Sequence, residues 1–250
     1  RPQSTNTGYG TGCNIGIQAA RGELIFLLNQ DTVLDPRCLE ELVRTMGLHP
    51  ESGICGPKML FHHEPRILNS FGFGVTRFLF AWDRGLFEMD HGQYDHQPCS
   101  LGASGGALMI RRSVIDHIGD LDPDYFMYQE DVAFCLRAVL AGYTVAMAPG
   151  ARVYHKQTFE GLGHLHRDFH GPRNRLRTLI KNLDMPVLIW ALLGHLTYEI
   201  LVIGSALLHL DFRRASGRTA AVLWNIGHLR LLWRKRENVL RLKRISDIRL

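Results

Sequence analysis

The sequence predicts an α/β fold, a mostly parallel open sheet flanked by helices, and three consecutive stretches carry that expectation. "GELIFLLNQD", 22–31, is a compact apolar run of strand length that ends in polar residues, the pattern of a buried parallel strand. "DPRCLEELVRTMGLHP" then reads as a helix, with Asp35 as N-cap, Pro36 at the first helical position, Leu39, Leu42, Val43 and Met46 on one face, and Pro50 as the stop. "SGICGPKMLF" returns to a strand pattern.

The alternation continues. "GGALMIRR" predicts a third strand and "SVIDHIG" a short helix. In "FMYQEDVAFCLRAVLAGY", 126–143, Val132, Cys135, Leu136, Val139 and Leu140 recur at helical spacing, and Gly142 is a plausible stop. "GYTVAMAP" and "ARVYH" predict two more strands about a turn at Pro149 and Gly150. Residues 62–98, rich in His, Gly and aromatics, keep no sustained period and read as a variable excursion. "KQTFEGLGHLHRDFHGP", 156–172, has the Gly and His content of a mobile loop. The chain opens at Arg1 on polar, Gly-rich material with no initial strand, the pattern of a sequence lacking an N-terminal part.

Composition bounds the function classes. With 46% hydrophobic and 21% charged residues over 250 positions, the chain can bury a full core. Residues 211–250 hold 11 Lys+Arg against 3 Asp+Glu, so the net charge of +5 belongs to the tail. That tail interleaves with long apolar helices rather than stacking aromatics, which excludes nucleic acid as the partner. Five scattered cysteines without a C-x-x-C pair read as reduced core thiols, and no charged n-region followed by an apolar h-region opens the sequence.

"MPVLIWALLGHLTYEILVIGSALLHL", from Met185 to Leu210, is long enough to cross a bilayer but carries His195 and Glu199 near its middle. These two share a face with Tyr198, so a helix packed on the protein or lying at a membrane interface fits better than a lone span. "AAVLWNIGHLRLLWRK" follows with Trp224, Trp233 and arginines suited to a headgroup region, so 184–250 reads as a helical appendage for an anionic membrane surface.

Chemistry-bearing residues gather at predicted element ends. Asp31 closes a predicted strand, where open α/β sheets bind ligands, although acids also cap turns there. His155 closes "ARVYH" and is equally suited to structure or ligation; oxygen ligands plus one imidazole would suit Mg²⁺ or Mn²⁺. Glu130 and Asp131 fall in a first helical turn, where negative charge is favoured, and spacing alone reads them as caps. His164, His166 and His170 form H-x-H-x3-H, a weak transition-metal pattern. Arg173 and Arg175 in "GPRNRLRTLIKN" suit a diphosphate, and suit a solvated basic helix face better.

In their order, "NTGYGTGCNIGIQAARGELIFLLNQDTVLDP", "SGGALMIRR", "FMYQEDVAFCLRAVLAGY" and "ARVYH" strongly resemble the family 2 glycosyltransferases of the GT-A fold, particularly the rhamnosyltransferase-like branch, over most of residues 5–183. The resemblance implies a partial GT-A catalytic domain at 1–183. It implies that Asp31, in Asn29-Gln30-Asp31, and His155 hold a divalent metal, Mn²⁺ or Mg²⁺, on the donor diphosphate. It implies that Asn6, Gly8, Asn14 and Gly16 line the nucleotide-sugar pocket, and that Ser104, Gly105 and Gly106 form the loop beside acceptor and transferred sugar. Asp131 becomes the general base of an inverting transfer, with Glu130 positioning the acceptor or the neighbouring loop. Three features depart from the family pattern: Ala133 stands where a further acid is usual, Gln30 replaces a common proline, and the first strand and helix are missing before Arg1.

The expected activity is transfer of a sugar, rhamnose among the candidates, from a nucleotide-diphosphate sugar to a cell-envelope glycan or lipid-linked acceptor at the cytoplasmic face of the inner membrane. A sugar nucleotidyltransferase would share the sheet but calls for a Gly-rich Arg/Lys signature after its first strand. A nucleotide-sugar-binding or membrane-docked module without turnover is the non-enzymatic alternative.

Overall fold

The computed structural model describes residues 5–76, 78, 80–97, 99–156 and 164–247. Helix α1 (Tyr9–Ala19) precedes strand β1 (Leu24–Leu28), the short β2 (Thr32–Leu34), α2 (Cys38–Leu48) and the long β3 (Ser52–Phe61). The excursion supplies β4 (Leu68–Ser70), β5 (Phe73–Val75), β6 (Ala81–Asp83) and β7 (Cys99–Ser100). β8 (Ala107–Arg111), α3 (Arg112–Ile118), α4 (Glu130–Leu140) and β9 (Thr144–His155) complete the sheet layers, and α5 (His164–Asn182), α6 (Met185–Leu208), α7 (Phe212–Gly227) and α8 (Leu229–Leu242) form a helical layer.

The main sheet runs β1-β8-β3-β9-β2. Among the described residues only β3 and β9 pair in parallel; β8 is antiparallel to both β1 and β3. β1, β3 and β9 point the same way, as expected, but the sheet is mixed rather than mostly parallel. An apolar run buried on both faces reads the same in either direction, so the sequence could not fix the sense of β8.

Both faces are covered, and the side-chain period of two assigns residues to each. Ile54, Leu108, Ile110, Val145 and Met147 pack with Val114, Ile118, Val132 and Phe134 beneath α3 and α4. Their neighbours Cys55, Ala107, Met109, Ala146 and Ala148 pack with Cys38, Leu42 and Met46 of α2. The buried face of α2 is therefore Cys38, Leu42, Thr45 and Met46; Leu39 and Val43, expected inside, are exposed. Lys58 tolerates burial in β3 because the excursion folds back to pair it with Asp90 and Asp95.

Two further expectations are corrected. β9 is one strand, with Pro149, Gly150 and Ala151 bulging out between the Pro57–Ala148 and Lys58–Arg152 pairs. A Cβ on Gly150 would lie 2.6 Å from the Glu41 carboxylate, so a side chain here would displace Glu41 where the bulge passes α2. The expected loop at 156–172 is helical from His164, and α1 occupies a stretch where no element was predicted. Side chains of His164 and His166 lie outside the described residues, and no group of three or more metal-ligating side chains occurs among the described ones.

Met185–Leu208 is the one helix among the described residues long and apolar enough to cross a membrane. One face packs inward, where His195 and Glu199 meet arginines of α5 and α7: Arg218 Nη1 lies 2.7 Å and Arg175 Nη1 3.8 Å from the Glu199 carboxylate. The other face presents apolar side chains to solvent, among them Trp190 at 72% and Leu208 at 84% exposure.

Candidate active site

The carboxyl end of β1 and the first turn of α4 meet at a cavity of about 360 Å³, whose lining includes Tyr9, Asn29, Asp83, Ser104, Glu130 and Asp131. Asn29 reaches it because its N–H donates to the Gly106 carbonyl at 3.0 Å, extending the β1–β8 pairing past the strand end. Gly105 and Gly106 form the adjoining wall. A Cβ on Gly105 would sit 3.1 Å from that of Asp131, and one on Gly106 would sit 2.8 Å from Met59 Cε.

Asp131 is fixed through both carboxylate oxygens. Oδ2 accepts the Gly105 N–H at 2.8 Å and Oδ1 accepts the Val132 N–H at 2.8 Å. It thus caps an orphan amide of α4, as the spacing implied, while its remaining lone pairs serve the cavity. Burial raises the proton affinity of Asp131 against these two amides, which lower it. Glu130 is buried, and one of its carboxylate oxygens has no hydrogen-bond partner. Burial first, then the neighbouring Asp131 charge, pushes it up to about 8. Two such carboxyl groups side by side hold a proton between them near neutrality.

Asp83 is the residue the sequence reading missed. It ends β6 inside the aperiodic excursion, where no pattern marked it. Burial lifts its carboxyl to about 6 against a hydrogen bond from Ser70, and the charge of Asp131 adds to the rise. Trp82, Phe73 and Tyr128 bring aromatic surface to the same cavity, a surface suited to the apolar faces of a sugar ring.

The loop entering α4 is strained. Phe126, Tyr128 and Gln129 take positive φ angles of 63°, 67° and 69°, which L-residues with side chains rarely adopt. What holds them there comes from α5. Asn174, fully buried, donates its Nδ2 to the carbonyls of Tyr125, Met127 and Tyr128 at 2.8–2.9 Å. Arg173 donates to the carbonyls of Asp124 and Tyr125 at 2.9 Å. The segment "PRNRL" is therefore a buried brace, not a solvated basic face.

Of the N-terminal group, Tyr9 lines the cavity, and its hydroxyl donates to the Gly105 carbonyl. Asn6 Oδ1 accepts the Gly8 N–H at 3.0 Å, and Gly8 (φ 87°) abuts Phe126 so closely that a Cβ would lie 2.4 Å from its carbonyl. Asn14 spends both ends of its amide on the Leu121 backbone, at 2.7 and 3.1 Å. Gly16 sits exposed on α1 with open space where a Cβ would be. Asn6, Gly8 and Asn14 thus serve to position α1, Gly16 makes no such contact, and none of the four lines the Asp131 cavity.

Asp31 and His155 come together beyond Asn29. Thr32 pairs with His155 across β2 and β9, and His155 Nε2 lies 3.2 Å from Asp31 Oδ2. The other ring nitrogen, Nδ1, contacts Asn69 Oδ1 at 3.0 Å; an amide oxygen only accepts, so the ring proton sits on Nδ1 and Nε2 keeps its lone pair. A lone pair facing a carboxylate oxygen needs positive charge between them, either a proton or a cation. An octahedral Mg²⁺ with ligands at about 2.0–2.1 Å sets adjacent ligands roughly 3 Å apart, so the pair fits a divalent ion with sites left for a diphosphate.

The chain is similar to known proteins. An N-acetylglucosaminyl-diphospho-decaprenol L-rhamnosyltransferase of Mycobacterium tuberculosis is 27% identical over 176 residues, 62% of this chain and 57% of that protein. The low-salt glycan biosynthesis hexosyltransferase Agl10 of Haloferax volcanii is 27% identical over 187 residues, 68% of this chain and 56% of that one. The chain thus spans just over half the length of these relatives. Among solved structures, GalNAc-T7 with UDP, GalNAc and Mn²⁺ superposes with a TM-score of 0.58 at 15% identity, covering 73% of this chain and 36% of that one, which shows a shared GT-A fold. The sequence profile of glycosyl transferase family group 2 matches residues 24–210, three quarters of the chain and every strand of the sheet just described, and to that family the chain belongs.

Proposed function

We propose that the chain transfers a sugar from a nucleotide-diphosphate sugar to a hydroxyl of a cell-envelope glycan or lipid-linked acceptor, with inversion and with Asp131 as general base. The observation that carries this reading is Asp131 itself, held by two backbone amides at the wall of the cavity with its proton affinity raised by burial. The acceptor oxygen forms its bond to the anomeric carbon as the carbon–diphosphate bond breaks; the hydroxyl proton passes to Asp131 and the diphosphate leaves with the electron pair. Glu130, protonated near neutrality, offers a hydrogen bond to the acceptor or the sugar.

Asp31 and His155 would hold a divalent ion that neutralises the departing diphosphate; GalNAc-T7 was solved with Mn²⁺. The names of the two relatives support a rhamnosyl or other hexosyl donor and an envelope glycan product. The exposed apolar face of α6, with the basic residues after it, supports peripheral attachment to an anionic membrane surface, which we take to be the cytoplasmic side of the inner membrane. In this reading 1–183 is the catalytic unit and 184–250 the attachment region.

The test is nucleoside diphosphate release from a panel of nucleotide sugars with Mn²⁺, Mg²⁺ or chelator and a membrane-glycan acceptor, for the chain and its Asp131→Asn variant. Metal-dependent release that the variant loses is expected. Inorganic diphosphate release instead would indicate a nucleotidyltransferase, and binding without release a non-catalytic module.

A further inference from the structure

A second cavity, of about 880 Å³, adjoins the Asp131 cavity, and the two share Asp83, Tyr128 and Gln129 in their walls. Five arginines line it: Arg167 and Arg175 of α5 and Arg213, Arg214 and Arg218 of α7. Its acids are largely engaged. Asp211 Oδ1 caps α7 by accepting the Arg214 N–H at 3.0 Å, and Asp168 faces Arg214 and Arg218 at 3.9 and 3.7 Å. Glu199, behind the wall, accepts from Arg218 Nη1 at 2.7 Å. Arg175 Nε is buried without a hydrogen-bond acceptor, and Arg218 Nε has only Asp168 at 3.7 Å. The five lining guanidinium groups outnumber the three lining acids, Asp83, Asp168 and Asp211, and such a cluster is a site for an oxyanion.

Exposed apolar side chains adjoin these arginines along the chain. Leu208, Leu210 and Phe212 are exposed immediately before Arg213 and Arg214, and Trp190, Ile200 and Leu201 of α6 are exposed as well. A ligand complementary to the whole path carries an apolar chain, then an anionic group, then a hydroxyl-bearing sugar at Asp131. We propose that the arginine cavity binds the phosphate or diphosphate of a lipid-linked sugar acceptor, with its lipid lying on α6 and its sugar extending past Asp83 and Tyr128 to Asp131. This rests on the glycosyl-transfer reading for the final step only. The nucleotide donor does not fit the path, since it has no apolar chain and its diphosphate has a separate place at Asp31 and His155. A bulk phospholipid headgroup would explain the exposed apolar side chains but not a cavity joined to the carboxylates.

The experiment is calorimetric titration of the whole chain with farnesyl diphosphate in chelator, for the unmodified protein, the double variant Arg213→Gln/Arg214→Gln and the variant Asp31→Ala. Both arginines are exposed, so the double variant should fold, and its melting temperature checks that. Binding is expected to weaken at least tenfold in the double variant and to persist in Asp31→Ala, whose nucleoside diphosphate binding with Mn²⁺ should fall instead. Equal affinity in the double variant would overturn the proposal, as would loss of farnesyl diphosphate binding in Asp31→Ala. So would displacement of the probe by phosphatidylglycerol vesicles at equal phosphate concentration, which would mark a general headgroup surface. Because no turnover is read, a failure here leaves sugar transfer standing, and a failure of sugar transfer leaves this measurement intact.

Discussion

The Gly105 N–H points at Asp131 Oδ2 from 2.8 Å, tying the loop before β8 to the first turn of α4. Asn at position 131 keeps an oxygen to accept this amide but loses the basicity. Its NH2 then faces the Val132 N–H, so Asp131→Asn is expected to lower transfer by ~10²–10⁴-fold at a cost of about 1 kcal/mol in stability, whereas Asp131→Ala leaves both amides unpaired and costs more. Thermal melts beside rate measurements check this; equal stability in the two variants would show that the amide contacts matter little.

Glu130 makes stability depend on pH. Its carboxyl keeps a proton up to about 8 in the fold, against 4.5 ordinarily. Between these values the folded state binds more protons than the unfolded one, so this group's contribution is complete below the lower value and is lost as pH rises through the upper. The slope is at most about 1.4 kcal/mol per pH unit. Glu130→Gln cannot ionise, so its melting temperature should gain on the unmodified protein between pH 5 and 8. Parallel curves would contradict the assignment.

Asn174 braces a backbone that three positive φ angles leave strained. Asn174→Ala should cost about 1–3 kcal/mol, read in denaturant unfolding. It should also lower turnover, because the loop it releases carries Gln129 and the start of α4. Unchanged turnover in a destabilised variant would confine Asn174 to folding.

Asn69 sets the tautomer of His155 through the 3.0 Å contact to Nδ1. Asn69→Ala should raise the Mn²⁺ concentration for half-maximal nucleoside diphosphate binding by ~10–100-fold. An unshifted Mn²⁺ titration would remove His155 from the metal site.

Gly8 and Gly16 should behave oppositely. A Cβ at Gly8 meets the Phe126 carbonyl at 2.4 Å with φ at 87°, so Gly8→Ala should destabilise by about 1–3 kcal/mol. Gly16→Ala, helical with open space, should stabilise by up to about 1 kcal/mol and leave donor affinity unchanged. A rise in donor KM for Gly16→Ala would restore it to the nucleotide pocket.

Local chemistry determined much of this protein from sequence alone. The apolar run in "GELIFLLNQD" and the helical stripe Val132 to Leu140 depend only on neighbours in the chain, and they place Asn29 and Asp131 at element ends where a site can form. Distance along the chain hid the rest. Asp83 lies in a stretch with no period and reaches Asp131 only because β5 and β6 fold over the sheet. Asn174 and Arg173 look like a basic helix face until α4 and the strained loop close over them. The sense of β8 was misread because a strand buried on both faces carries no directional mark, and the α2 face was misread in part because Leu39 and Val43 are as apolar as residues that pack inward. Sequence set which segments form and which ends bear acids; only tertiary packing, by removing water from chosen carboxylates and arginines, decided which of them are poised to react or to bind.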